Sequence, residues 1–416
     1  MNDLRSVEEQ QALVLARVRA LPAGSVRLAL ARGLTLREAV RARVDIPVFD
    51  NSAMDGFAVR YADVADASPT APARLRVVAD LPAGSPLDPS LGPDEAARIM
   101  TGSAVPTAAD AIVPFEDTAG GLEDSLGEIL VTAAPAARGA HIRRRGGDAV
   151  TGDELLAAGV ELGPLQLAAA AAAGEAEVVA SRRPRVVVVS TGSELVAPGL
   201  SLLRGQIPES NSELLAGLVL RAGAEVVRQE TVGDEGDTLE RLVREVTDPS
   251  SPDHADVVVL SGGVSAGAYE VVKNTLSGVM EFVKVAMQPG KPQAFGVTPS
   301  GALLFGLPGN PVSAAVSFEV FVRPALLALQ GRTELHRPLL RLPAAIGWRT
   351  PPGRRQYLPA TIDRRDPGRW TVAPATGGGS ASHLAGGLAR ADAYAIVPAD
   401  IDAVAASDIV DVMLIP

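Results

Sequence analysis

The sequence predicts a multidomain protein with one α/β domain, built on a mainly parallel sheet, flanked by β-rich domains and a helical segment. Three observations predict it. The chain has 416 residues, more than a single hydrophobic core supports at roughly 100 to 200 residues per domain. From Arg185 onward continuous β-branched runs alternate with amphipathic helices, as in strands covered on both faces. On either side of that stretch, short β-like runs are broken by proline- and glycine-rich turns.

Taken in order, Ser6-Val7-Glu8-Glu9 fits a capping box, and Val7, Val14, Val18 and Leu21 continue at helical spacing until Pro22. Residues 6–20 therefore read as an amphipathic helix. Residues 47–147 carry runs such as RLRVVAD and EILVTAA and read as a small, mostly β domain. In GPLQLAAAAAAG, Pro164 opens and Gly174 closes a short apolar helix. That helix is expected to pack with the amino-terminal one, making the first domain discontinuous (1–46 plus 148–177). Residues 178–330 hold the α/β alternation, beginning with the strand RVVVVS. Residues 331–416 return to short strands and glycine-rich turns.

Composition narrows the function. No cysteine occurs, which excludes disulfides, thiolate zinc sites and cysteine nucleophiles. The amino terminus lacks a signal-peptide core and no stretch reaches the ~18 apolar residues of a spanning helix, so a cytoplasmic protein without a membrane partner is expected. A formal charge of −11 argues against nucleic acid. The four histidines are scattered and none is assigned to catalysis. Of 38 Lys and Arg residues only Lys273, Lys284 and Lys291 are lysines, all within one short segment. A compact ammonium on a flexible stem has been kept in one place.

Three loops leave predicted strand ends, where open parallel sheets bind ligands: STGSEL from Ser190, SGGVSAG from Ser261 and GLPGNPVS from Gly306. Each combines glycine with hydroxyls and free backbone N–H groups, a combination suited to anions. Ser190, Thr191, Gly192, Pro308 and Asn310 are candidate ligand-binding residues they supply. Glu194, Asp234 and Glu270 fall beside these loops, and carboxylates next to anion sites point to Mg²⁺. Lys284 and Lys291 flank the turn Pro289-Gly290, placed to stabilise charge on a phosphate.

The motifs PVFDNSAMDGFAV, IMTGSAVPTAADAIVPFED, RRRGGDAV, STGSEL, SGGVSAG, QPGKP and GLPGNPVS together resemble the molybdopterin molybdenumtransferases, the MoeA family, similar to the gephyrin E domain. The resemblance implies a three-layer MogA-like α/β domain, an inserted β domain, an elongated helical dimerisation domain and a C-terminal β-barrel-like domain. It implies a homodimer whose cleft lies between the α/β domain of one subunit and the inserted domain of the other. The implied reaction joins molybdate and adenylylated molybdopterin, with Mg²⁺, to give molybdenum cofactor and AMP. Molybdopterin adenylyltransferase and molybdoenzymes are the implied protein partners.

Carried over by motif, the catalytic residues are Asp55, Thr101, Asp148, Glu194, Asp234 and Lys284. Gly262, Gly263 and Ser265 line the implied nucleotide and pterin site, and the implied molybdate pocket maps to Lys291, Ser313 and Arg354, with Ser380 from the late glycine-rich loop. Departures are Gln288 where lysine is usual, Glu270 where aspartate is usual, and Gly386 and Gly387 where serine is common. Two alternatives stay open: a molybdopterin adenylyltransferase, or a non-catalytic protein that binds and stores cofactor. The turn at Phe49–Val59 is expected to have Asn51 and Asp55 bonded to local backbone and Gly56 at positive φ, with Asp50 structural.

Overall fold

The computed structural model describes residues 4–121, 126–264, 271–376 and 385–415. Helix α1 (Val7–Ala16) begins with the expected capping box, Ser6 Oγ accepting the Glu9 N–H and the Glu9 carboxylate accepting the Ser6 N–H. It stops at Ala16 instead of continuing to residue 20, and the chain then turns so that the Leu21 N–H donates to the Leu329 carbonyl at 2.7 Å. The expected pairing of α1 with the alanine-rich helix α2 (Pro164–Ala172) does not occur. Val7 and Val14 enter the core of the α/β unit, whereas Ala170 and Ala173 pack with Leu36, Val40 and Val178 in a separate core. The apolar helix ending at Leu329 offers α1 larger side chains to bury against than the alanines of α2 do.

Around α2 the segments pair as strands, Ala23–Arg27 with Glu177–Ser181 and Val40–Arg41 with Glu154–Leu156. This part of the chain is mixed α and β, which corrects the helical description. Residues far apart in sequence meet here because the β insertion leaves and returns at nearly the same point, where the Ile46 N–H donates to the Ala149 carbonyl at 2.8 Å.

The insertion forms a five-stranded sheet from β1 (Gly56–Val59), β2 (Ala73–Leu81), β3 (Glu95–Ile99), β4 (Ala111–Pro114) and β5 (Glu128–Val131), in the order β4-β1-β3-β2-β5. Successive side chains of β1 enter opposite cores, Phe57 and Val59 on one face and Ala58 on the other, as the period of two requires. Gly56 opens this strand without a positive φ, so the expected turn glycine is corrected. Its reason is crowding: a Cβ there would stand 2.0 Å from the Val113 carbonyl oxygen.

The α/β unit runs β6 (Arg185–Thr191), α3 (Asn211–Arg221), β7 (Glu225–Val232), α4 (Gly236–Val246), β8 (Val257–Ser261), α5 (Val271–Leu276), β9 (Met280–Lys284), β10 (Pro292–Val297) and β11 (Leu303–Leu307). The sheet order is β7-β6-β8-β11-β10-β9, with the first four parallel and the last two antiparallel. Alternate valines of β6 feed two cores: Val186 and Val188 face α3 and the helix that follows β11, while Val187 and Val189 face α4 and α5. That following helix runs from α6 (Pro311–Ser317) through a π-helical stretch, Phe318–Val322, into α7 (Arg323–Leu329). It is the one helix among the described residues long and apolar enough to cross a membrane, and it is 89% buried in the protein.

The C-terminal unit contains β12 (Leu339–Pro343), β13 (Arg355–Asp363), β14 (Thr371–Pro374), β15 (Ala393–Val397) and β16 (Ile409–Leu414), ordered β13-β15-β16-β12 with β14 on β13. A bridge from Ala344 to Val372 brings the far edge back towards β14. On the near edge, Met287–Gln288 from the α/β unit runs parallel to Arg355–Gln356. This pairing fixes where Arg354 can reach.

Candidate functional site

A pocket of about 670 Å³ opens at the carboxyl ends of β6, β8 and β11, as parallel strands that end together allow. Thr191, Gly192 and Glu194 enter from the first loop, Gly262 and Gly263 from the second, and Pro308, Asn310 and Ser313 from the third. Asp234 arrives after β7, Lys291 from the turn before β10, and Arg354 from the C-terminal unit. The loops touch backbone to backbone. Gly262 takes φ +97°, and a Cβ on it would lie 2.5 Å from the Thr191 carbonyl oxygen, so only glycine fits.

The two carboxylate loops are tied together. Asp234 Oδ2 accepts the Ser193 N–H at 3.3 Å, and Ser193 Oγ accepts the Asp234 N–H at 3.1 Å. At the other end, Arg354 Nη1 donates to Gln288 Oε1 at 2.7 Å. Gln288 thus fixes the guanidinium without adding a charge. Ser313 is buried in the first turn of α6, where backbone N–H groups favour anions. One end of the pocket is therefore acidic, the other cationic, and glycine loops lie between.

Several expected residues stand elsewhere. Ser190 is buried behind the pocket, where its Oγ donates to Glu209 Oε1 at 2.8 Å. Its side chain points into the base of α3 because Glu209 already collects the Asn211 and Ser212 N–H groups there. Lys284 lies on the exposed end of β9, paired across the ladder with Pro292, and does not line the pocket. The ladder brings Lys284 beside Lys291, whose carbonyl accepts the Val285 N–H at 2.8 Å, but strand alternation turns neighbouring side chains to opposite faces. Asp55, Thr101 and Asp148 also lie outside the pocket, on exposed surface. Ser265, Glu270 and Ser380 lie outside the described residues.

Asp55 Oδ1 accepts the Thr101 N–H at 2.6 Å, so its partner is distant in sequence, not local. That backbone bond, aided by the Thr101 side chain, holds the Asp55 carboxyl below its usual range. Asn51 does bond locally, donating to the Phe49 carbonyl at 3.3 Å. Asp50 pairs with Arg144 and accepts the Arg145 N–H at 2.7 Å, a structural role.

Sequence reasoning missed Asn211. Its Nδ2 donates to Ser261 Oγ at 2.7 Å and to the Gly309 carbonyl at 2.6 Å, joining the second and third loops. Its buried Oδ1 has no partner among the described residues and belongs to a side chain lining the pocket. The signal was the polar run Glu209-Ser210-Asn211-Ser212 at a helix start. For Mg²⁺, the described residues contain no group of three or more possible ligands. Glu194 and Asp234 still satisfy the cation's habit of using one or two carboxylates with substrate phosphate and water.

Three family models match the chain: the MoeA N-terminal region (domain I and II) over residues 5–174, a probable molybdopterin binding domain over 187–328, and the MoeA C-terminal region (domain IV) over 341–415. Molybdopterin molybdenumtransferase 2 of Mycobacterium tuberculosis is 43% identical, covering 97% of this chain and 98% of the relative. The chain belongs to the MoeA family. Molybdopterin molybdenumtransferase 1 of the same organism is 36% identical over 98% of both chains. A solved Pyrococcus MoeA protein aligns over 99% of both chains with a TM-score of 0.78 and 30% identity. As a MoeA protein this chain is a transferase of molybdenum cofactor biosynthesis, as its motifs implied.

Proposed function

We propose that this MoeA protein inserts molybdenum from molybdate into adenylylated molybdopterin and releases AMP, as a Mg²⁺-dependent homodimer. The observation that carries the reading is the polarity of one pocket: Glu194 and Asp234 at one end, Lys291, Arg354 and Ser313 at the other. The glycine loops bind the phosphates of the nucleotide through backbone N–H groups. Lys291, Arg354 and Ser313 hold the oxyanion, the guanidinium supplying paired donors and the ammonium a point charge. Glu194 and Asp234 would hold Mg²⁺, which supplies neutralisation of the phosphate charge during cleavage of the anhydride. Asn211 Oδ1 offers an acceptor for a ligand N–H or O–H.

Asp55, Thr101 and Asp148 join this reading from a second subunit. An exposed carboxylate held ionised by Thr101 gains a function only opposite an anion pocket, and the pocket's own chain does not bring it there. The protein would take its substrate from the adenylyltransferase and pass cofactor to molybdoenzymes. The test is incubation with adenylylated molybdopterin, Mg²⁺ and molybdate. Release of AMP with active cofactor is expected. Stable binding without AMP release would favour a storage protein, and adenylylation of molybdopterin by ATP would favour the adenylyltransferase.

A further inference from the structure

A second cavity, of about 480 Å³, lies at the opposite end of the same sheet. Arg183 and Gly223 line it and each stands one residue short of β6 or β7, with Pro184 and Ala224 between, so it sits at the amino ends of the parallel strands. Six guanidinium side chains surround it: Arg32, Arg183, Arg221, Arg323, Arg332 and Arg337. They come from the segment around α2, from the α/β unit and from the chain after α7, so only the folded protein brings them together.

Two carboxylates answer these cations. Buried Glu319 takes a bidentate contact from Arg337 at 2.7 and 3.0 Å, and Glu161 pairs with Arg332 at 2.6 Å. Arg183 is spent on backbone, donating to the Gly223 and Arg32 carbonyls. Arg323 lies 3.9 Å from Glu319 and donates to the Leu335 carbonyl at 3.2 Å. The side chains of Arg32 and Arg221 have no bond or ion pair among the described residues, and the buried Nε of Arg332 has no partner. An unmet buried donor carries a desolvation cost that a bound acceptor would relieve. Burial first, and the charge of Arg337 second, push the Arg323 guanidinium below its ordinary value. In a chain of formal charge −11, this excess of positive charge is local.

We propose that this cavity binds a multiply charged tetrahedral oxyanion of the phosphate class, free or carried on a nucleotide. Planar guanidinium forks match such an anion, and their convergence from three sides suits one with several charged oxygens. The concave site and its distance along the sheet from the strand-end pocket make it independent of the insertion chemistry.

The test is calorimetric titration of the full-length protein with inorganic pyrophosphate and, separately, with AMP at fixed ionic strength. In a Lys291→Ala background, which weakens anion binding at the strand-end pocket, pyrophosphate affinity should fall at least about tenfold further on adding Arg32→Ala/Arg221→Ala, a loss typical of a charge-assisted contact. Both arginines are exposed, so the double variant should fold, and its unchanged melting temperature without ligand checks this. AMP binding with the same pattern of loss identifies a nucleotide-borne phosphate; pyrophosphate binding alone identifies a free anion. The proposal is overturned if the Lys291→Ala protein binds neither ligand, or if adding Arg32→Ala/Arg221→Ala to it leaves the binding unchanged. A double variant that becomes monomeric in sedimentation with unchanged pyrophosphate affinity would instead make the cavity a seat for a second copy.

Discussion

In the strand-end pocket, lining residues converge from seven separate stretches of chain, whereas Asp55 stands on an open surface beside Thr101. The pocket owes its shape to a rule of sheet topology: parallel strands end together, and their loops must meet. The acidic turn owes its shape to the inserted sheet alone, where Gly56 lets β1 and β4 approach closely. A concave site preorganises its own chemistry. A carboxylate on an open surface carries only half of one, and acquires its role from whatever faces it.

The sharpest way to break this comparison is complementation. Glu194→Gln and Asp55→Asn should each lower AMP release by about 10²–10³-fold, the usual cost of losing a preorganised charge. If the two regions meet across a dimer, mixing the variants should restore about a quarter of wild-type activity, since random pairing leaves half the dimers mixed with one intact site each. Mixed protein that stays inactive would place Asp55 outside the reaction or within its own subunit's site.

Next in size is glycine. Gly262→Ala should cost about 2–4 kcal/mol in urea unfolding, from left-handed backbone plus collision with Thr191. Gly56→Ala should cost a similar amount through collision with Val113 alone, while leaving pyrophosphate binding intact. Equal tolerance of alanine at both would remove the steric account.

A smaller effect is expected at the cationic end. Gln288→Lys adds a charge beside Arg354, so the molybdate KM should fall several-fold at low salt, with the gap closing as salt rises and screens the site. A salt-independent difference would assign Gln288 a purely geometric role. The smallest effect concerns the hinge into the insertion. Thr151, by its backbone N–H and then its hydroxyl, and Arg145 hold the Asp45 carboxyl down to about 2. A depressed folded value gives stability that is present above the unfolded value near 4 and is lost as pH falls towards 2. Acid unfolding followed by circular dichroism should show this loss in the wild type and a shallower one in Asp45→Asn.

Much of the pocket was legible. STGSEL, SGGVSAG and GLPGNPVS each place glycine and hydroxyls at a strand end, and a ligand cradle made of backbone depends on those local features. Thr191, Gly192, Glu194, Asp234, Gly262, Gly263, Lys291, Pro308, Asn310, Ser313 and Arg354 all line the one site. Ser190 lies behind the pocket because strand alternation sends its side chain away from the loop it begins. Lys284 stands outside the pocket because it ends β9, whose ladder with β10 is hidden in the sequence by the turn residues Pro289 and Gly290 between them. Asn211 was missed because its task is to join two loops that lie 50 and 98 residues away.

By itself the sequence determined the α/β alternation, the capping box at Ser6, the anion loops and the family, because each rests on residues adjacent in the chain or on motifs kept in order. Tertiary structure alone decided where α1 packs, how Gln288 holds Arg354, and that six scattered arginines share a cavity. Those outcomes depend on which surfaces meet after folding. Burial and Coulomb interactions act through space, over distances that spacing along the chain does not encode.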